Sequence, residues 1–111
     1  MPRCIKFEPY LKGDFMEFMA LDMAGFSEKL KGMSKITFFT AEGLHRESGA
    51  IRSIEAGKDF VFFQLSSGIG SYRRFFSLEE DRSLEFYLFS ASRQEYIQVI
   101  SGGMLKAVIL P

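Results

Sequence analysis

The chain has 111 residues, with 14 Lys plus Arg against 14 Asp plus Glu, and 13 of its residues are Phe. Zero formal net charge removes the bulk attraction for nucleic acid or anionic lipid that a basic domain carries, leaving only a local patch as a route to such partners. A single cysteine, Cys4, excludes an internal disulfide and any metal site built from several cysteines.

The length suits one domain spanning 1–111, able to bury roughly two-thirds of its unfolded surface without a metal or disulfide. The first residues lack a basic segment followed by an apolar run, so no signal peptide is expected. The apolar stretch from Phe15 to Phe26 is broken by Glu17 and Asp22 and is too short to span a bilayer. A soluble, cytoplasmic protein without membrane insertion is the expectation.

In chain order, Cys4 to Leu11 alternates as a short strand interrupted by Pro9. Asp14 followed by Glu17 has the spacing of a capping box. Phe15, Phe18, Met19, Met23, Phe26 and Leu30 recur at helical spacing, and Gly32 suits the residue after a helix end. These features predict one helix over about 14–31, with Met16, Ala20 and Ala24 widening its apolar stripe.

From Ser34 the period becomes two. Ile36–Thr40 reads as a strand, and Leu44–Glu55 as a longer one whose alternation slips near Gly49, as at a bulge. Phe60–Leu65 is apolar at consecutive positions and is expected to be a central strand. Residues 66–71 read as a loop and Tyr72–Phe76 as a strand. Leu84–Phe89, Tyr96–Ile100 and Leu105–Leu110 follow, separated by short polar turns. The expected class is mainly β (α+β), one N-terminal helix followed by a six- or seven-stranded antiparallel β-barrel.

No catalytic constellation stands out. His45 is the only histidine; Glu42, Glu47 and Asp81 could surround it, but no second histidine at metal-ligand spacing exists. A Cys4–His45 nucleophile pair has no local support, and no Gly-x-Ser-x-Gly elbow occurs. Glu79-Glu80-Asp81 lacks the ligand spacing of a calcium loop and reads as a solvated turn. Neither a catalytic residue nor a metal or cofactor is assigned.

The basic candidates are Arg73 and Arg74, after Gly68-Ile69-Gly70, with Arg46 and Arg52 on the long strand. Paired arginines can fork onto phosphate oxygens, and Tyr72, Phe75 and Phe76 beside them could stack bases. Such a ligand site requires the four to converge on one face. A dinucleotide fingerprint is absent, because its third glycine would stand at Arg73 and a strand, not a helix, follows.

The order of elements carries a resemblance. A helix, Ile36-Thr37-Phe38-Phe39-Thr40, Gly49-Ala50-Ile51-Arg52-Ser53-Ile54-Glu55, Phe60-Val61-Phe62-Phe63, Leu84–Leu88, Tyr96–Val99 and Ala107–Pro111 together resemble the N-terminal barrel of flagellar brake proteins, which precedes a cyclic di-GMP-binding PilZ domain. That family grips the nucleotide with an Arg-x-x-x-Arg segment after the barrel and an Asp-x-Ser-x-x-Gly segment in the PilZ domain. Arg73-Arg74 has other spacing, and in Asp81-Arg82-Ser83 the required glycine is replaced by Phe86. Direct cyclic di-GMP binding is therefore not implied. The resemblance implies a regulatory barrel in cyclic di-GMP or motility signalling that packs against another domain or protein. The expected function is a non-enzymatic regulatory or adaptor module working through contact with a protein partner or a second copy. The alternative is a small-ligand or single-stranded nucleic-acid barrel using the arginines.

Overall fold

The computed structural model describes residues 17–40, 46–91 and 94–111. Among these residues, eight strands and one short helix occur in the order β1 (Glu17–Leu21), α1 (Met23–Lys29), β2 (Lys35–Phe39), β3 (Arg46–Ala56), β4 (Phe60–Ser67), β5 (Gly70–Ser77), β6 (Leu84–Ala91), β7 (Gln94–Ser101) and β8 (Met104–Leu110). A single 3-10 turn, Leu30–Gly32, extends α1. Mainly β architecture with short connections therefore agrees with the period-two pattern after Ser34.

The helix predicted over 14–31 is shorter. Glu17–Leu21 is a strand pairing with β6, Phe18 opposite Phe89 and Ala20 opposite Tyr87. Helix begins only after Asp22, whose carboxylate accepts from the Gly25 N–H at 2.8 Å. That aspartate satisfies one of the free amides of the first turn. Asp22→Ala is expected to lower stability by about 0.5–2 kcal/mol, read as a shift in the urea midpoint at unchanged m-value. Asp14, the predicted cap, and the Cys4–Leu11 strand lie outside the described residues.

The strands form one antiparallel sheet in the order β1-β6-β7-β8-β2-β3-β4-β5. The closed barrel of six or seven strands is thus replaced, among the described residues, by eight strands with two ends, β1 and β5. The sheet is nonetheless strongly curled. Phe76 on β5 and Phe86 on β6 stand six places apart in it, roughly 29 Å in a flat sheet at about 4.8 Å per strand. Their ring centroids are 6.3 Å apart, and Phe76 also lies 6.0 Å from Phe38 on β2.

Helix α1 fills the mouth of this curl. Phe26, fully buried, stacks on Phe86 at 4.1 Å and meets Phe76 edge-on at 6.2 Å. Met23, Leu30, Ile36, Val61, Phe63, Leu65, Leu88, Ile97, Val99 and Ile109 belong to the same inner core. On the outer face of β6–β8 a second cluster, Tyr87, Phe89, Tyr96, Ile100 and Val108, is buried as well. The strands buried on both faces are therefore β6, β7 and the second half of β8. Residues Phe60–Leu65, expected to be central, form β4, one place from the end of the sheet.

The predicted slip in the long strand is present, three residues beyond Gly49: Ile51 pairs with Leu65 and Ser53 with Gln64, leaving Arg52 as the extra residue of a bulge. Residues 66–71, read as a loop, instead extend both strands to a two-residue turn at Gly68-Ile69, with Ser67 opposite Gly70. Gly102 and Gly103, at φ 60° and 80°, make the tight β7–β8 turn; two consecutive positive φ values are what a type I′ hairpin needs. Among the described residues, no helix is long and apolar enough to cross a membrane.

Candidate functional site

The β4–β5 hairpin positions the most distinctive surface. Alternation sends Val61, Phe63 and Leu65 inward to the core and Phe62 and Gln64 outward. Register then places Phe75 opposite Phe62, and Arg73 opposite Gln64, on that same outer face. Phe62 and Phe75 are 41% and 43% exposed, with ring centroids 5.2 Å apart. Phe60 meets Phe62 edge-on at 5.5 Å. The Phe60 ring occupies the space a β-carbon on Gly57 would need, which lets the aromatic run continue to the β3–β4 turn. Beside it lies a notch of about 160 Å³ lined by Ser53, Glu55, Gln64 and Arg73 with Phe62 and Phe63.

Arg74, one residue further along β5, points to the opposite face. Its guanidinium binds Glu47 of β3 at 2.8 Å, donates to the Arg73 carbonyl at 2.7 Å and lies 4.9 Å from the centre of the Tyr72 ring. Both partners of the ion pair are nearly half exposed, so it contributes at most about 1 kcal/mol. Below it the Tyr72 hydroxyl is buried against Gly49 and has no hydrogen-bond partner among the described residues. Desolvation, and secondarily the Glu47 charge, raise its pKa above the usual tyrosine value, with Arg74 opposing.

The four predicted site arginines are not brought together. Arg73 and Arg74 leave opposite faces of β5. Arg46 stacks on Phe39 at 5.8 Å, near the start of β3. The position facing Arg73 across the sheet is Ser53, at the other end of β3, about 20 Å from Arg46 at roughly 3.4 Å per residue. Arg52 protrudes at the bulge.

Other groups fall into structural roles. Asp81 accepts from the Ser101 hydroxyl at 2.6 Å and from the Ser83 N–H at 3.0 Å, so the acidic run ends in a carboxylate that ties the β5–β6 turn to β7. Among the described residues, no group of three His, Cys, Asp or Glu could hold a metal ion. His45 and Cys4 lie outside the described residues.

Phe75 was named from the sequence only as a ring that could stack bases, and Phe60 and Phe62 were not singled out, although a signal was there. Phe62-Phe63 and Phe75-Phe76 are doublets, and in a strand one member of each must face away from the core. No protein-family model matches the chain, and no characterised protein or solved structure matches it. The fold and this surface are therefore what a functional reading can rest on.

Proposed function

We propose that the chain is a non-enzymatic regulatory or adaptor module that acts through protein contacts made by the outer face of the β4–β5 hairpin. The observation that carries this reading is the exposed pair Phe62 and Phe75, with half-buried Phe60 packed beside it. Water-exposed aromatic rings are the side chains most enriched where protein partners bind, and packing inside this domain does not account for them. On the resemblance to flagellar brake barrels, the curled sheet would correspond to the regulatory barrel of cyclic di-GMP or motility signalling, with the hairpin turned towards its partner. The small-ligand and nucleic-acid alternative has less to stand on, because its arginines diverge.

A thermal-shift panel separates the two. Cyclic di-GMP, other nucleotides and short single-stranded RNA are expected to leave the melting midpoint unchanged. A ligand at about a hundred times its Kd would add about 2.7 kcal/mol, a rise of roughly 4–8 °C for a domain of this size. A rise removed by Arg73→Ala and kept by Phe62→Ser would favour the arginine site. On the protein-contact reading, a photoreactive phenylalanine analogue at position 62 crosslinks to one discrete protein or to a second copy. The same analogue at position 79, in the exposed β5–β6 turn, is expected not to do so.

A further inference from the structure

We infer that the free edge of β5 is a docking site for an extended, acidic strand of a partner protein; this rests on the protein-contact reading of the hairpin and specifies its mode. Among the described residues β5 ends the sheet. The two-residue turn makes Ser67 and Gly70 a hydrogen-bonded pair, and strict alternation from there gives Tyr72, Arg74 and Phe76 their bonds to β4. The amides and carbonyls of Ser71, Arg73, Phe75 and Ser77 therefore point away from β4. Two acceptors confirm the phase: the Ser77 carbonyl takes the Asp81 N–H at 2.9 Å, and the Arg73 carbonyl takes the Arg74 guanidinium at 2.7 Å.

Of the residues whose backbone points outward from the sheet, Ser71, Arg73 and Phe75 also have side chains exposed on the outer face. An added strand would thus gain main-chain bonds to Arg73 and Phe75, with its own outward side chains read by Arg73 and by the Phe62–Phe75 pair. Charge selects the occupant. Strand β5, Gly70–Ser77, carries Arg73 and Arg74 and no acidic residue, so a second copy pairing edge to edge would bring four cations together, and like charges across strands repel. A strand with an acidic residue facing Arg73 and an apolar residue two positions away on the Phe75 side is complementary. Arg74, folded over the Arg73 carbonyl and held by Glu47, is the group that an arriving strand displaces; side chains placed this way protect sheet edges.

The test titrates the isotopically labelled full chain with an acetylated octapeptide whose every second residue is in turn glutamate and valine, with threonine between, so that one face of the strand offers an acidic and an apolar side chain two positions apart. Amide shifts at Ser71, Arg73 and Phe75 are expected, with binding at least tenfold weaker after Arg73→Glu or when lysine replaces glutamate. N-methylation of the edge-facing peptide amides should abolish it, and Arg74→Ala should tighten it severalfold. No shift on β5 at millimolar peptide, or equal binding of the lysine peptide, would overturn the inference. Shifts confined to the Phe60 and Phe62 rings that survive N-methylation would overturn the edge assignment alone and leave the contact face standing. Silence at both places would remove the two readings together.

Discussion

Phe26→Ala is expected to lower the stability of the domain by about 3–5 kcal/mol, the cost typical of removing a fully buried aromatic ring. The ring is completely inaccessible and touches strands six places apart in the curled sheet at once, Phe86 on β6 and Phe76 on β5. Its loss leaves a cavity where helix α1 joins those strands, and a helix of seven residues is too short to hold its conformation without that packing. Since whole domains have about 5–15 kcal/mol in reserve, the variant should melt many degrees lower or fail to fold. Phe62→Ala removes an aromatic side chain of equal size from the outer face and is expected to change stability by under about 1 kcal/mol. Urea denaturation of both variants measures the contrast. Equal losses would mean that Phe62 is packed as tightly as Phe26.

The second large effect is expected at Gly49. A β-carbon there would overlap the Tyr72 hydroxyl, lie 3.1 Å from its Cζ and sit 3.3 Å from the Ser66 carbonyl oxygen. Tyr72 is pinned between this glycine and Arg74, so Gly49→Ala should cost about 1–3 kcal/mol, the range for forced overpacking. Tyr72→Phe alone should be neutral or mildly stabilising, because it removes a buried hydroxyl that has no partner among the described residues. In the Gly49→Ala background the same change should recover part of the loss, and a double-mutant cycle reads that coupling. Alkaline pH supplies a further check. With the folded-state pKa of Tyr72 raised, the unfolded chain releases this proton first as pH climbs past about 10. Stability therefore falls from there upward, through the folded-state pKa. Tyr72→Phe should make that fall shallower, with the raised Tyr87 left to supply part of it.

Much of the β architecture was legible because strands announce themselves by alternation and by turn residues, as at Ser101-Gly102-Gly103. The bulge was legible too, as a slip in period. The first strand was not. Phe18, Met19, Met23, Phe26 and Leu30 satisfy helical spacing, but only the last three lie in helix. Pairing with β6, where Phe18 stacks on Phe89 at 5.6 Å, overrides the local pattern of the first two. Asp22, which looked like an interruption in an apolar helix, is the residue that starts it.

At the site, adjacency argued against a shared arginine cluster from the outset. Neighbouring residues of a strand face opposite ways, so Arg73 and Arg74 could converge only if this segment were a loop. Whether an all-apolar run is central or merely next to an edge is harder to read. Phe60–Leu65 and Leu84–Phe89 look alike in sequence, yet only β6 has both faces covered. The difference lies in pairing partners far away along the chain.

Those distant partners bear on how the protein is made. Strand β2 lies between β3 and β8, and Lys35 pairs with Leu110, about 75 residues later. Such a topology has high contact order and belongs with domains that fold in milliseconds to seconds. On a ribosome adding roughly 5–20 residues per second, β2 waits about 4–15 s for its second neighbour. The β3–β4–β5 meander can form during that interval while the inner core still gapes. Nascent chains of this protein thus expose Ile36 and Phe38 until Met104–Leu110 has emerged, and co-translational chaperones have that window in which to act.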